Sequence, residues 1–297
     1  MNERGGQTVE LLTPSTRAVL GESPVWDERT ATLYWVDIER GWVHQCKADG
    51  SAERHHVIGQ RIGCVALRAN QPGFIAGLEH SVALLALDPL EIRTLAPVDA
   101  HLPGNRCNDG KCDGRGRFWV GTCDQANQAS TGWFFRLDSK EARLERVWGP
   151  FICTNGPAFS ADGATIYCVD SYGRTVYAHT LSSAGELSER RLFARFDASD
   201  SGYPDGLTCD REGCVWIAEW GAARVTRFSP AGERLESILL PVTQPTSCTF
   251  GGPDLRRLFI TSASLGLDAQ ANANGLAGAV FAVDLAVGGT PAARYDG

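Results

Sequence analysis

The sequence predicts an all-β fold, a six-bladed β-propeller with four-stranded blades around a central channel. One observation is a repeated unit of strand, turn and aromatic-rich strand, whose starts lie about forty to fifty residues apart, as in propeller blades. The other is that no stretch keeps a helical period. The units start at residues 22, 62, 108, 155, 205 and 246. A β-sandwich or a pair of small β domains is the alternative, which the persistence of the repeat disfavours.

Four units open with similar segments that carry a carboxylate or a carboxamide, at residues 22–26, 108–112, 155–159 and 205–209. Turns rich in Asp and Gly follow, since both residues suit tight turns. The aromatic-rich second strands are predicted at 32–36, 117–120, 165–169 and 214–218. Third strands alternate with the period of two that is typical of half-buried strands, at 42–46, 175–179 and 224–228.

The N-terminal segment, residues 8–20, is β-rich and precedes the first blade. We expect it to pair with the last blade, which ends at 279–283, because closing the ring shields exposed sheet edges. No Pro- or Ser-rich linker divides the chain. Residues 1–297 are therefore predicted to form a single domain.

The net charge is −7 and the basic residues are scattered, which argues against a nucleic-acid partner. No apolar run is long enough to span a membrane, and the first seven residues do not resemble a signal peptide. We expect a cytoplasmic protein with no membrane partner, either a monomer or a small homo-oligomer.

The chain has ten cysteines but no Cys-x-x-Cys pair, and most fall within strand patterns. This predicts buried free thiols that act as small apolar side chains. Motifs of serine hydrolases, zinc proteases and phosphate-binding loops are missing. His44 and His179 fall in third strands, whereas His55 and His56 have the pattern of loop residues.

In a propeller the first strand of each blade lines the axis, so that equivalent positions converge. Glu22, Asn108, Asn155 and Asp205 should therefore face one another, with Ile62 and Thr246 completing the ring. Carboxylate and amide oxygens without Cys or His suit Ca²⁺, Mg²⁺ or Mn²⁺. The alternative is that these Asn and Asp residues only form turns, as Asn-Gly and Asp-Gly often do.

The segments at residues 20–26, 106–111, 155–157, 203–206 and 245–252 resemble the SMP-30/gluconolactonase/luciferin-regenerating-enzyme family, and the resemblance covers nearly the whole chain. It implies a six-bladed propeller that holds one divalent metal in the axial channel, and a sugar lactone as substrate. The metal ligands of the family match Glu22, Asn155 and Asp205, and its substrate contacts match Arg106 and Asn108. Animal members also have an acidic substrate contact where this chain has Ala126; Asp124 or Gln125 are the candidates to replace it.

We therefore expect a metal-dependent hydrolase that opens an aldonolactone to the aldonic acid. Asp205 is the expected general base, with a metal-bound hydroxide as the alternative nucleophile. Arg106 and Asn108 would orient the sugar, and the cation is left open among Ca, Zn, Mn, Mg and Fe. The rival functions are hydrolysis of a non-sugar lactone or a phosphotriester at the same site, or a non-catalytic metal-binding sensor or scaffold.

Overall fold

The computed structural model describes residues 8–138, 143–199 and 202–297, and these form twenty-four β-strands in six four-stranded antiparallel sheets. The short N-terminal strand is β1, Glu10–Leu11. The first three blades are β2 Gly21–Asp27, β3 Thr32–Asp37, β4 Trp42–Cys46 and β5 Arg54–Val57; β6 Ile62–Leu67, β7 Phe74–Leu78, β8 Ser81–Leu87 and β9 Leu90–Pro97; and β10 Asn105–Cys112, β11 Phe118–Asp124, β12 Gly132–Asp138 and β13 Arg143–Phe151.

The last three blades continue in the same order. They are β14 Thr154–Phe159, β15 Thr165–Asp170, β16 Thr175–Thr180 and β17 Arg191–Arg195; β18 Tyr203–Cys209, β19 Val215–Trp220, β20 Arg224–Phe228 and β21 Arg234–Leu239; and β22 Pro245–Gly251, β23 Arg257–Ser262 and β24 Phe281–Asp284, to which β1 adds the fourth strand. The predicted six-bladed β-propeller is thus confirmed.

The first strands of the blades form a closed inner ring. In the order β2, β6, β10, β14, β18 and β22, each contacts the next, and β22 contacts β2. These strands are buried along almost their whole length. Residues at the same position in different blades are therefore brought around one axis, which is what a shared site requires.

The turn between first and second strands is stabilised in the same way in two blades. Asp113 accepts a hydrogen bond from the indole Nε1 of Trp119 (2.8 Å), and Asp210 accepts one from Trp216 (3.0 Å). Each carboxylate also accepts backbone N–H groups of its own turn. The two indoles are fully buried, so the aromatic residues of the repeat anchor each turn to the packed interior between blades.

The ring closes as expected, because β1 is the outer strand of the last sheet. Glu10 pairs with Ala282 and Leu11 with Phe281. The next residue, Leu12, is buried with 2% exposure and packs among residues of the first and last blades. The two ends of the chain therefore complete one sheet. Residues 1–7, which do not resemble a signal peptide in sequence, lie outside the described part of the chain.

One local prediction is wrong: His55 and His56 are not in a loop but in β5, the outer strand of the first blade. The ring of His55 stacks on Trp42 with 4.2 Å between centroids, and His56 Nε2 lies 3.3 Å from Gln45 Oε1. These cross-strand contacts stabilise a strand that faces solvent. Because β5 is largely exposed, its sequence lacks the alternation by which strands are recognised.

The ten cysteines are free and buried, as predicted. Within residues 8–138, 143–199 and 202–297 there is no helix, and hence none that is long and apolar enough to cross a membrane.

Candidate metal and substrate site

A cavity of about 270 Å³ lies at the end of the channel where the innermost strands begin. It brings together all five residues that the sequence singled out for chemistry. They are Glu22 from β2, Arg106 and Asn108 from β10, Asn155 from β14 and Asp205 from β18. All five are nearly buried, with exposures between 4% and 9%.

Ile62 and Thr246, which were expected to complete the ring, do not line this cavity. Both are fully buried. Ile62 packs in the apolar core between the first two blades, and Thr246 donates a hydrogen bond from Oγ1 to the carbonyl of Gly21 (2.5 Å). At these two positions the blade start is used for packing and for joining neighbouring blades. The five predicted site residues therefore come from four of the six blades.

The predicted residues lie at breaks in strand pairing rather than in turns. The register of β2 shifts between Glu22 and Val25, and that of β14 shifts between Asn155 and Ala158. Similar shifts span Asn108 in β10 and Asp205 in β18. Such bulges change the direction in which a side chain points. The Asn-Gly and Asp-Gly pairs are therefore parts of bulged inner strands, and the turn interpretation is not supported.

The glycine that follows Asp205 is required by close packing. A Cβ atom on Gly206 would lie 2.1 Å from Oγ of Ser247 in the neighbouring blade. Any larger residue would push β18 away from β22 and displace the carboxylate of Asp205. The Asp-Gly pair thus combines a carboxylate with the one residue that has no side chain, and this allows the carboxylate of Asp205 to stay near the axis.

A chain of hydrogen bonds fixes the carboxamides. Arg106 Nη1 donates to Asn108 Oδ1 (2.6 Å), and Asn108 Nδ2 donates to Asn155 Oδ1 (3.1 Å) and to the carbonyl of Thr154 (2.8 Å). Asn155 Nδ2 donates to Ser171 Oγ (2.9 Å). With both amides held in this way, Asn155 Oδ1 keeps a lone pair for a further ligand, as an ordered outer shell does for a metal-binding residue.

The two carboxylates keep most of their hydrogen-bonding capacity free. Glu22 accepts the backbone N–H of Ser23 (2.9 Å), and Asp205 accepts that of Gly206. Within the described ranges, no salt bridge reaches either carboxylate. The charges of Arg106 and Lys111 offset only part of the cost of burying these two anions, because burial still raises both pKa values. Two buried carboxylates with no direct ion pair make a site that a cation would stabilise.

The electrostatics of the site agree with its geometry. Burial raises the pKa of Glu22 to about 8, and the negative charge of Asp109 adds to the shift. Burial, followed by the charges of Glu22 and Asp109, raises the pKa of Asp205 well above its usual value. Asp109 lies deeper and accepts the N–H groups of Gly110 (2.7 Å) and Gly156 (2.9 Å). Three carboxylates therefore share a poorly solvated space.

This donor set fits a hard divalent cation. Two carboxylates and one carboxamide oxygen are available from Glu22, Asp205 and Asn155, and such oxygen ligands suit Ca²⁺, Mg²⁺ or Mn²⁺. No group of three His, Cys, Asp or Glu that could hold a metal occurs among the residues that the structure describes. A site here consequently depends on amide oxygen. With three protein ligands, a bound cation would keep further coordination positions for water and substrate.

Among the residues that the structure describes, Arg106 is the only cationic one that lines the cavity. Its Nη1 is occupied by Asn108 and by the carbonyl of Cys107 (3.0 Å). In the part of the chain that is described, its Nε and Nη2 groups have no protein partner and remain as donors. A guanidinium with one edge held and one edge free is suited to orient the hydroxyl or carbonyl oxygens of a ligand.

Neither candidate for the missing acidic contact lines the cavity. The carboxylate of Asp124 accepts three backbone N–H groups of the loop at residues 126–129. Gln125 accepts a hydrogen bond from Arg61 (2.8 Å) and donates one to the carbonyl of Asn105 (3.2 Å). Asn127, in a left-handed conformation with φ of 55°, lines the cavity instead.

The sequence did not identify the rest of the lining. The loops that follow the second strands contribute to the rim, because an antiparallel second strand ends where the first begins. Ser171, Tyr172 and Leu265 come from such loops. The other additional lining residues lie in or just before first strands or at the end of β19, and are Leu20, Cys153, Tyr203, Pro204 and Trp220. Leu20, Tyr203 and Pro204 belong to segments that resemble the family, which was the available signal. A second cavity, of about 500 Å³, opens at the opposite end of the channel and contains Lys111 but none of the five predicted residues.

The chain is similar to known proteins over nearly its whole length. The sequence model of the SMP-30/Gluconolactonase/LRE-like region matches residues 20–264. The chain is 36% identical to L-arabinolactonase of Azospirillum brasilense over 96% of this chain and 95% of that protein. It is 38% identical to 6-deoxy-6-sulfogluconolactonase of Pseudomonas putida over 92% and 93%. The solved structure of a calcium-binding protein, regucalcin, from Agrobacterium tumefaciens is similar, with a TM-score of 0.92, 26% identity and 98% coverage of both chains.

Proposed function

Because the chain belongs to the SMP-30/gluconolactonase/LRE-like family, we propose that it is a metal-dependent lactonase that opens an aldonolactone to its aldonic acid. One observation carries the proposal: a single cavity combines two buried carboxylates that have no direct ion pair among the described residues, an oriented carboxamide and a guanidinium with free N–H groups. The sugar lactonases among the relatives support the reaction, and the calcium-binding relative supports the cation.

Glu22, Asn155 and Asp205 would hold one divalent cation, which, when bound, supplies Lewis-acid polarisation of the lactone carbonyl. The chain contributes the rigidity of this set. Asn108 and Ser171 hold the Asn155 amide from two sides (3.1 and 2.9 Å). The bulged inner strands fix where the ligands point. Groups that are already held in position do not need to reorganise during the reaction. This preorganisation supplies most of the rate acceleration of such a site.

Asp205 is the proposed general base. As a water molecule attacks the carbonyl carbon, Asp205 takes a proton from that water, and it returns the proton to the ring oxygen when the C–O bond breaks. The products are a free carboxylic acid and a hydroxyl on the same chain of carbons. Without metal, burial raises the pKa of Asp205 above its usual value. A bound cation would oppose this shift and keep the carboxylate ionised, as a general base must be.

The substrate that we propose is an uncharged, polyhydroxylated lactone. Arg106 is the single cation of the lining within the described part of the chain, and the rim includes the aromatic residues Tyr172, Tyr203 and Trp220. A sulfonated or phosphorylated sugar would require a second positive charge at the rim. Arg106 and Asn108 would hydrogen-bond ring hydroxyls, and a site built in this way rejects analogues that lack the matching hydroxyl.

The direct test is a pH-indicator assay of ring opening with a panel of five- and six-membered aldonolactones. We expect hydrolysis of at least one uncharged member by metal-loaded protein. Preferential hydrolysis of a phosphotriester or of an unsubstituted lactone would favour the rival substrate classes. No turnover of any lactone by folded, metal-loaded protein would leave the sensor or scaffold function.

Arg106→Ala is expected to reduce the turnover of a polyhydroxylated lactone roughly 10- to 100-fold more than that of an unsubstituted one, because the lost hydrogen bonds go to sugar hydroxyls. Asn108→Ala should show the same bias, together with weaker metal binding, because Asn108 also holds Asn155. The measurement is kcat/KM on both lactones. Arg256→Ala, at an exposed position, is the control. An equal loss of kcat/KM on both lactones would show that Arg106 does not orient the substrate through its hydroxyl groups.

Asn127→Gly is expected to change the relative kcat/KM among aldonolactones by about 2- to 10-fold, the range of one neutral hydrogen bond. Glycine accepts the left-handed backbone at this position, so the side chain is removed without strain. Gln128→Gly is the matched control, because Gln128 is the next residue of the same exposed loop and does not line the cavity. If Asn127→Gly changes the ranking of substrates no more than Gln128→Gly does, Asn127 does not contact the substrate.

A further inference from the structure

Two cysteines face each other between the third and fourth blades, beside the candidate site. Cys123, in β11, and Cys153, just before β14, form an isolated antiparallel bridge. The N–H of Asp124 donates to the carbonyl of Ile152 (3.0 Å), which makes Cys123 and Cys153 the non-hydrogen-bonded pair of that bridge. Such pairs have Cα atoms about 4.5 Å apart, within the roughly 4.4–6.8 Å that a disulfide spans.

Only one of the two thiols is reachable, and it is reachable from the candidate cavity. Of the ten cysteines, Cys153 alone lines that cavity. Cys123 is 1% exposed and lies behind it, and the two thiols interact directly. Cys112 and Cys209 line the cavity at the opposite end of the channel instead. A water-sized oxidant that enters the candidate cavity therefore meets Cys153 first, with a second thiol in position to react next.

We propose that Cys123 and Cys153 are a reversible oxidation site that takes a small hydroperoxide and forms a disulfide, and that this disulfide lowers the activity of the site. Cys153 attacks a peroxide oxygen, the O–O bond breaks, and a sulfenic acid forms as water leaves. Cys123 then attacks the sulfenic sulfur, so that the S–S bond forms and a second water leaves. In total, hydrogen peroxide and two thiols give one disulfide and two waters, and a dithiol reductant reverses the change.

The effect on the site follows from the contacts of Cys153. Its Sγ is 3.5 Å from Asn108 Nδ2 and 3.9 Å from Asn155 Nδ2. A disulfide brings the two sulfur atoms to about 2.05 Å, which draws Cys153 Sγ toward Cys123 and away from both amides. Cys153 is thus a positioning residue: its oxidation loosens the pair of amides that presents Asn155 Oδ1 to the cavity.

The test uses full-length, reduced, metal-loaded protein that is titrated with hydrogen peroxide, alkylated and mapped by mass spectrometry. We expect one disulfide, between the peptides of Cys123 and Cys153, and its loss on treatment with dithiothreitol. Turnover should fall about 10-fold or more in the oxidised form, the range that is typical when a partner of a metal-binding residue is disturbed. It should return on reduction.

Cys123→Ser and Cys153→Ser should form no disulfide. Cys168→Ser, which removes a buried thiol of β15 that lines neither cavity, should form the Cys123–Cys153 bridge as the natural protein does. A bridge between other cysteines, or oxidation of Cys153 without any bridge, overturns the proposal; so does a bridge that leaves both turnover and calcium affinity unchanged.

The activity part of this inference rests on the proposed lactonase function, whereas the mapping does not. Calcium affinity, measured by calorimetry on the reduced and the oxidised protein, gives a second readout. If no lactone is hydrolysed by the reduced protein, the proposed function fails. The mapping and the calcium affinity then still decide whether the disulfide forms and acts on the site.

Discussion

Asp205→Ala is expected to lower lactone turnover by at least about 100-fold, because it removes a proposed metal ligand and the proposed general base together. The protein should remain folded, since the inner ring and the cores between blades do not depend on this side chain. In the absence of metal its stability should be no lower than that of the natural protein, because one of three neighbouring buried carboxylates is gone. The measurements are kcat/KM, metal content and thermal unfolding with a chelator.

Two variants separate the roles of Asp205. Asp205→Asn keeps an oxygen donor and the shape of the side chain but cannot accept a proton, so it should retain more metal than Asp205→Ala while still losing turnover. Asp254→Ala removes a carboxylate from an exposed turn and should change neither property. Full lactonase activity or an unchanged metal content in Asp205→Ala would refute the assignment.

Removal of the metal by a chelator should abolish lactone hydrolysis and leave the circular dichroism spectrum unchanged. We expect the fold to persist because the hydrogen bonds and apolar cores of the six sheets are built from other residues, whereas the proposed chemistry requires the cation. Adding back Ca²⁺, Mg²⁺, Mn²⁺ or Zn²⁺ should restore turnover to levels that differ among the cations, since these ions differ in charge density and preferred geometry. Loss of the fold on chelation would instead favour a structural cation.

The same experiment has a pH dependence with a defined sign. The pKa of Glu22 rises from 4.5 to about 8 on folding without metal, so between these values the native state binds more protons than the unfolded state. The chelated protein should therefore become less stable as the pH rises from about 5 to about 8. A bound cation removes this penalty by pairing with the ionised carboxylate. The rise in melting temperature on adding metal should thus be larger at pH 8 than at pH 5. An equal rise at both pH values would contradict the pairing of the cation with Glu22.

The inner half of each blade was predictable because one physical constraint repeats six times. Each first strand must be buried, begin at the axis and be followed by a tight turn and an aromatic strand, as Asp113 and Trp119 illustrate. The outer strands obey no such constraint. β5 is mostly exposed and is held by its pairing with β4 and by the stacking of His55 on Trp42. A periodic sequence pattern does not predict such contacts.

The same reasoning explains which parts of the site the sequence revealed. Residues at the equivalent blade start, such as Glu22 and Asp205, converge by the symmetry of the ring. Asn127 and Tyr172 reach the cavity from loops whose paths depend on local hydrogen bonds. The pairing of Cys123 with Cys153 joins two different blades. Contacts between repeats are not visible in the repeat itself, so each cysteine was interpreted alone, as a small apolar residue.

The last sheet has a consequence for how the molecule is made. Its strand order, β1-β24-β23-β22, pairs residues near the start of the chain with residues near its end. During synthesis β1 emerges from the ribosome before the other strands of the propeller and remains without its partner strand until β24 has emerged. Such distant pairing is slow because most of the chain must be ordered before it forms. Earlier blades can assemble during translation, but the ring becomes complete only after β24, Phe281–Asp284, has emerged.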